Sequence, residues 1–281
     1  MKLLIRPALP WQALLVESVG EKVLVIADLH IGFEHELAGM GINIPSQTPK
    51  IQAKLLQILG EVKPNRLIFI GDVKHSVPKI SLQEWEDVPA FFEEIQKAVS
   101  DIEVIPGNHD GDLEPLTPRT VRIHQSKGII IGKEESVALS HGHAWPSAEF
   151  LGTDYLVIGH NHPVVHFRDS LGFKVVRQIW LKADCNGQKL ASAFLKYAGV
   201  KLKMDPIVAL KQVFNVDVHA PKLIVMPAFN EILGGLPINL QKPRELLGPI
   251  LRSEAVNIDS AEAHLLDGTF LGSIKQLRKM G

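Results

Sequence analysis

Gly107-Asn108-His109-Asp110 follows directly on the apolar run Ile102-Glu103-Val104-Ile105-Pro106, so an extended segment delivers three polar side chains together. Asn108 offers a neutral oxygen ligand, His109 an imidazole able to act on a substrate, and Asp110 a carboxylate able to fix that imidazole's tautomer. Gly-Asn is also ordinary turn chemistry, and these four residues alone read equally well as a strand-end turn. Recurrence decides between the two. Val23-Leu24-Val25-Ile26-Ala27 runs into Asp28-Leu29-His30, Leu67-Ile68-Phe69-Ile70 into Gly71-Asp72, Val137-Ala138-Leu139 into Ser140-His141-Gly142-His143, and Tyr155-Leu156-Val157-Ile158 into Gly159-His160-Asn161-His162. A lone buried histidine is usually a hydrogen-bonded core residue, and an aspartate after a strand is usually a cap. Five repetitions of one pattern in one chain point instead to a metal-dependent catalytic site. Because residues two apart on an extended chain point the same way, Asp28 and His30 are expected to converge on one ion, and His109 to face away from Asn108.

Such side chains need strands that end together. Uninterrupted apolar runs at 23–27, 67–70 and 102–105 read as strands buried on both faces. Between them, Pro49 after Thr48 starts a helix bearing Ile51, Leu55, Ile58 and Leu59 and closed by Gly60 and Pro64, and a second helix over roughly 87–99 carries Val88, Phe91, Phe92, Ile95 and Val99 on one stripe. Ser81 with Glu84 could cap the turn before that helix. Alternating strands and helices imply parallel strands with right-handed crossovers, whose active sites lie at the strands' C-terminal ends. Residues 3–19, broken around Pro7 and Pro10, read as an edge strand and a second strand. From Val121 onward hairpins take over, with turns at Lys133-Glu134-Glu135, at Asp169-Ser170-Leu171-Gly172, and at Asp267-Gly268 as a two-residue turn. Residues 183–221 interrupt the strands as an insertion or partly helical excursion, with a helix from Asp205-Pro206 to Phe214. Leu223-Ile224-Val225-Met226 resumes the sheet, and no boundary divides residues 1–281 into separate domains.

This ordered set resembles the calcineurin-like metallophosphoesterase family, whose pattern is D-x-H, GD, GNH followed by D or E, H, and GHxH. The longer forms Asp28-Leu29-His30-Ile31-Gly32-Phe33-Glu34 and Gly71-Asp72-Val73-Lys74-His75 look like its ICC-like branch, related to the SbcD repair nucleases. The resemblance implies an α/β four-layer sandwich, two mixed sheets flanked by helices, and places 227–235 and 266–269 in the same catalytic domain. It implies two divalent transition-metal ions, one held by Asp28, His30, Asp72 and His162, the other by Asp72, Asn108, His141 and His160. Manganese leads, with iron, nickel, cobalt or zinc as alternatives, since imidazole and carboxylate without thiolate suit these ions. Asp72 would bridge the pair, a shared hydroxide would attack phosphorus, and His109, oriented by Asp110, would meet the phosphoryl oxygen or protonate the leaving group. His143 and His75 are candidates for touching substrate or supporting the ligands, with Lys74, Asn230 and Asn239 weaker. The activity implied is hydrolysis of phosphodiesters, nucleic acid included, with a phosphomonoesterase or a non-catalytic scaffold of the same fold as alternatives.

Composition bounds the rest. With 281 residues, 46% hydrophobic and 22% charged, the chain can bury a large core. It holds no apolar run near the roughly 18 residues needed to span a bilayer, and Arg6 and Pro7 interrupt any leader, so no membrane partner and a cytoplasmic location are expected. The single cysteine, Cys185, excludes an internal disulfide. A formal net charge of -1 gives no global attraction to nucleic acid and leaves only a local basic patch to supply it. Oligomeric state and substrate are not encoded in these patterns.

Overall fold

The computed structural model describes residues 3–132, 135–168, 171–240 and 245–279. Its first half contains β1 (Leu4–Pro7), β2 (Ala13–Ser18), β3 (Glu21–Ile26), α1 (Phe33–Gly39), α2 (Thr48–Val62), β4 (Arg66–Ile70), α3 (Leu82–Gln96), β5 (Asp101–Ile105) and β6 (Arg122–Ile123). These strands form one sheet in the order β1-β2-β3-β4-β5-β6. The first two join antiparallel, and β3, β4, β5 and β6 run parallel, as helical crossovers require.

The second half contains β7 (Ile129–Ile131), β8 (Val137–Ser140), β9 (Tyr155–Ile158), β10 (Pro163–Arg168), β11 (Lys174–Asp184), α4 (Gly187–Tyr197), α5 (Pro206–Phe214), β12 (Lys222–Val225), β13 (Leu236–Pro237), α6 (Pro249–Arg252), β14 (Glu262–Leu265), β15 (Phe270–Ser273) and α7 (Ile274–Leu277). They form a second sheet ordered β13-β10-β11-β12-β9-β8-β7, with β14 on β11 and β15 on β14. Here β8, β9 and β12 are mutually parallel, and their outer neighbours β7 and β11 pair antiparallel to them.

The layers follow from alternation along the strands. Val23, Val25 and Ala27 pack with Ile68, Ile70 and Ile105 against Val137, Leu139, Val157, Trp180 and Ile224 of the second sheet. The intervening Leu24 and Ile26, with Leu67 and Phe69, face α2 and α3 through Leu55, Ile58, Phe91 and Phe92. Leu156, Ile158, Leu181 and Val225 turn the other way, onto Leu190, Phe194, Leu195 and Leu210 of α4 and α5. Helix, sheet, sheet and helix make the expected four layers, each apolar face buried on another.

Several expectations change in detail. The helix expected from residue 87 starts at Leu82, because Ser81 and Glu84 cap the helix itself, accepting and donating reciprocally at its first turn, and Pro89 is carried inside it. Residues 183–221 are partly helical, with two helices where one was expected. They end β11, form α4 with Asn186 as its cap, and form α5 capped by Asp205, and both helices cover the second sheet. Phe33–Gly39 is helical without a sequence signal that flagged it. The β14–β15 hairpin forms, but its connection spans 266–269 rather than two residues, closed by Gly268 N–H on the Leu265 carbonyl. Within the other two expected turns, Lys133, Glu134, Asp169 and Ser170 lie outside the described residues.

Candidate metal centre

The site is built where both sheets end. Asp28 and His30 follow β3, Asp72 follows β4, Asn108 and His109 follow β5, His141 follows β8, and His160 and His162 follow β9. The convergence of Asp28 with His30 has a different cause from the extended alternation expected. Asp28, His30, Asp72, His160 and His162 have left-handed backbone, with φ of 60°, 43°, 51°, 66° and 40°. Such conformations cost about 1–3 kcal/mol each in a non-glycine residue and persist where surrounding structure imposes them. Here the imposing structure is a ladder beyond the strands. Asp28 N–H donates to the Gly71 carbonyl, His30 N–H to Asp72, Ile31 N–H to Val73, and His75 N–H back to Ile31. The segment after β12 stitches the sheets together, with Phe229 N–H on the Ala27 carbonyl and Asn230 Nδ2 donating to Leu29 O at 2.9 Å.

Three glycines let the groups approach. A Cβ at Gly71 would lie 2.2 Å from His141 Nδ1, one at Gly107 2.1 Å from Asp72 Oδ1, and one at Gly159 2.7 Å from Asp28 Oδ2. The close approach that requires them comes from residues distant in the chain.

The potential ligand atoms gather in two sets, Asp28, His30 and His162 in one and Asp72, His141 and His160 in the other, each within 4.8 Å. Asp72 faces both, with Oδ2 3.4 Å from His30 Nε2 and 3.1 Å from His141 Nε2. Asn108 Oδ1 lies 3.2 Å from His141 Nε2, within the second set. Asp28 Oδ1 lies 3.3 Å from His162 Nε2 and 3.7 Å from His141 Nδ1. Both carboxylates are fully buried.

Imidazole tautomers follow from what each Nδ1 touches. His141 Nδ1 is 3.0 Å from the Ile70 carbonyl, His162 Nδ1 is 3.4 Å from that of Gly234, and His109 Nδ1 closes on that of His75. A carbonyl only accepts, so in each neutral ring the proton sits on Nδ1 and the Nε2 lone pair is left for a ligand or a substrate. The buried Nε2 atoms of His30 and His162 have no hydrogen-bond partner among the described residues. Unpartnered nitrogens beside buried carboxylates are what a divalent cation would satisfy, and the donor set fits two such ions.

Electrostatics agree with a site built for cations. Burial and the neighbouring His162 hold His30 down at about 3, where it is a neutral ligand. Burial also lowers His141, but Asp72 and Asp28 outweigh it and raise it to about 9, a proton standing where positive charge is wanted. Burial lowers His160 to about 4, with His141 acting the same way. Burial would raise Asp28, yet His162 and His141 keep it below its ordinary value.

One expected role is revised. Asp110, expected to orient the His109 ring, spends its carboxylate on backbone. Oδ1 accepts from Val73 N at 2.9 Å and Lys74 N at 3.2 Å, and Oδ2 from Gly107 N at 2.9 Å. The group on the His109 ring is the carbonyl of His75. Asp110 therefore locks the loops after β4 and β5 together, while burial and the charge of Asp72 raise its own pKa to about 6. The His109 ring lies 4.8 Å from that of His30, and His30, His75 and His109 form a third close set.

His75 stacks on His109 at 5.1 Å, and its Nε2 is 2.6 Å from Glu36 Oε2. Glu36, on α1, was missed because nothing in that stretch announced a helix. Lys74 is buried, its Nζ donating to the carbonyls of His109 at 2.5 Å and Ser76 at 2.6 Å. Glu84 Oε1 accepts from His75 N at 2.9 Å and Ser76 N at 2.6 Å, a support that the capping pattern alone did not reveal. His143 lies on the wall, its ring 5.3 Å from His141 and 6.2 Å from His160, with Nδ1 unpartnered among the described residues. Asn230 holds the Leu29 carbonyl, whereas Asn239 bonds the backbone of His166, well outside the ligand set.

The family model for calcineurin-like phosphoesterases matches residues 21–219, more than half of the chain. The chain belongs to the calcineurin-like phosphoesterase family. It is a hydrolase of phosphoester bonds, and the family implies divalent metal ions. No curated protein matches the chain. Among solved structures, nuclease MPE of Pseudomonas putida is 18% identical over 95% of this chain and 98% of that one, with a TM-score of 0.49. Yfce, a phosphoesterase from E. coli, is 18% identical over 53% and 74%, at 0.35. A conserved uncharacterized protein of Streptococcus pneumoniae TIGR4, a predicted phosphoesterase, is 8% identical over 89% and 92%, at 0.31. Among the described residues no helix is long and apolar enough to cross a membrane.

Proposed function

We propose that this phosphoesterase acts on diesters, with residues 1–281 forming one catalytic domain. Asp28, His30, Asp72 and His162 would hold one ion and Asp72, Asn108, His141 and His160 the other, manganese being preferred. The observation that carries the reading is the shared tautomer: His141 and His162 each commit Nδ1–H to a carbonyl and aim Nε2 at a buried carboxylate. When bound, such ions supply Lewis-acid activation of water and of the phosphoryl group.

The chain's own residues do the rest. Asp28 and Asp72 neutralise charge, and His160 N–H fixes the Asp28 carboxylate at 3.1 and 3.2 Å from its two oxygens. His109, its Nδ1 proton held by the His75 carbonyl, keeps Nε2 for the substrate, where it can accept a hydrogen bond or, protonated, give its proton to the leaving oxygen. Lys74 keeps that loop in place by bonding the His109 carbonyl. A monoester dianion carries more charge than a diester, and the buried Lys74 ammonium is already spent on two carbonyls, which favours the singly charged substrate. The motifs' likeness to the SbcD-related branch favours it too.

A panel of a simple aryl phosphodiester, the matching monoester, and single-stranded and duplex DNA, each with manganese, iron, nickel, cobalt or zinc, tests this. The diester should turn over fastest with manganese. A monoester turned over much faster than every diester would reverse the assignment.

A further inference from the structure

Helix α4 buries Leu190, Ala191, Phe194 and Leu195 in the second sheet's outer core. Its opposite face reads Lys189, Ser192, Ala193, Lys196, the i, i+3, i+4, i+7 spacing of one helical stripe. Two cations thus stand about 10 Å apart on that face, with only small side chains between them. This stripe is one wall of a cleft of about 710 Å³ whose other lining includes Trp145, Pro249, Arg252 and Glu254. Three cations face one anion there, and Lys189, Lys196 and Arg252 make no ion pair among the described residues. Arg252 is held in place by Nε donating to Leu246 O at 2.6 Å. Trp145 stacks on the exposed Tyr197 at 5.8 Å and packs edge-on against Phe194, so its indole is fixed.

Two residues of the cleft's lining, Trp145 and Pro249, are tied to the metal centre along the chain. Trp145 is two residues beyond His143 on the wall, and Pro249 follows Gly248. A Cβ on Gly248 would meet the Gly142 carbonyl at 2.2 Å and His160 Cδ2 at 3.8 Å. A chain whose phosphate sits on the histidines therefore meets the indole and the basic stripe next.

We propose that this cleft between α4 and α6 is a track for single-stranded nucleic acid, with Lys189, Lys196 and Arg252 on successive phosphates and Trp145 against an unpaired base. The track rests on the diesterase reading above and supplies its substrate class. Cations give affinity without reading sequence, and a fixed aromatic face gains from bases that duplex pairing would hide. The near-neutral chain as a whole gives no such attraction, so the stripe must provide it locally.

The test is the full chain with Lys189→Glu and Lys196→Glu together, and separately Trp145→Leu. Binding of a fluorescent thymidine oligonucleotide is followed by anisotropy in EDTA, so that it is independent of catalysis, and hydrolysis of bis(4-nitrophenyl) phosphate with manganese is followed in parallel. The double variant should keep small-diester hydrolysis and the parent's melting temperature, bind the oligonucleotide about tenfold or more weakly, and lose about 1.4 from its salt slope, about 0.7 for each phosphate contact. Trp145→Leu should weaken binding with the slope unchanged. Parent-like affinity and slope in the double variant, or no oligonucleotide binding by the parent, would overturn the track. Equal binding of a duplex, or of polyglutamate, equally weakened by the charge reversals, would overturn the single-strand assignment. A parent that hydrolyses no diester with any metal sinks the diesterase reading instead, while the binding measurement still decides the track.

Discussion

His30 Nδ1 stands 2.9 Å from His75 Nδ1, and His75 Nε2 stands 2.6 Å from Glu36 Oε2. Only one proton fits between two such nitrogens. The carboxylate takes the His75 proton on Nε2, leaving His75 Nδ1 to accept, so His30 carries its proton on Nδ1 and turns a bare Nε2 toward Asp72. The tautomer that lets His30 ligate is thus set by a residue on α1. His75→Ala should therefore weaken manganese binding by about 10-fold to 100-fold, as loss of a group orienting a ligand typically does. Glu36→Gln should shift it in the same direction and by less. Titration of manganese with bound metal read directly checks both, and an unchanged affinity in His75→Ala would remove the relay.

His109 and His141 should fail differently. His141→Ala removes an imidazole aimed at Asp72 and Asn108, so bound metal should fall and excess manganese should restore part of the rate. His109→Ala should keep both ions and slow diester hydrolysis by about 100-fold to 10,000-fold, the range for a positioned acid or base. Its closeness to His30 makes the comparison sharp, because loss of an ion from His109→Ala would make it a ligand.

Gly107→Ala tests the packing of the centre rather than its chemistry. Gly107 has no left-handed backbone to lose, but its new methyl would lie 2.1 Å from Asp72 Oδ1 and 2.6 Å from Asp72 N. If Asp72 bridges two ions as proposed, moving its carboxylate by about 1 Å is expected to lower the rate about 100-fold. Elemental analysis should show less metal per chain. Full metal content at parental rate would mean that the loop yields freely.

Far from the site, fully buried Glu103 bonds Arg66 at 2.8 Å, His124 at 2.6 Å, and Arg122. Burial would raise its pKa, and Arg66 and His124 bring it below the ordinary 4.5 instead. A lowered folded pKa means stability that is complete above 4.5 and is lost as pH falls through the folded value. Glu103→Gln should be less stable by about 1.5–3 kcal/mol at neutral pH, the range for hydrogen bonds to a charged group. The gap should narrow as pH drops below the ordinary carboxylate value. Urea unfolding of both proteins across that range measures it, and a gap independent of pH would contradict the charge-based account.

The sequence by itself determined which residues meet and roughly what holds them. Asp28, His30, Asp72, Asn108, His141, His160 and His162 each sit just past an apolar run, and parallel strands bring such positions to one edge whatever the loops do. The parallel core of the first sheet follows from the alternation of strands and helices, whereas the four layers are implied by the family resemblance of the motifs. What only the tertiary structure decided is orientation. That Asp110 binds the amides of Val73, Lys74 and Gly107 instead of the His109 ring depends on two loops packing side by side. That Glu36 reaches His75, and that Lys189 and Lys196 face a cleft shared with Trp145 and Arg252, depends on where helices dock. Strand ends are set by local patterns that hydrophobic burial enforces, whereas which nitrogen carries a proton is set by a partner tens of residues away, and no local pattern records it.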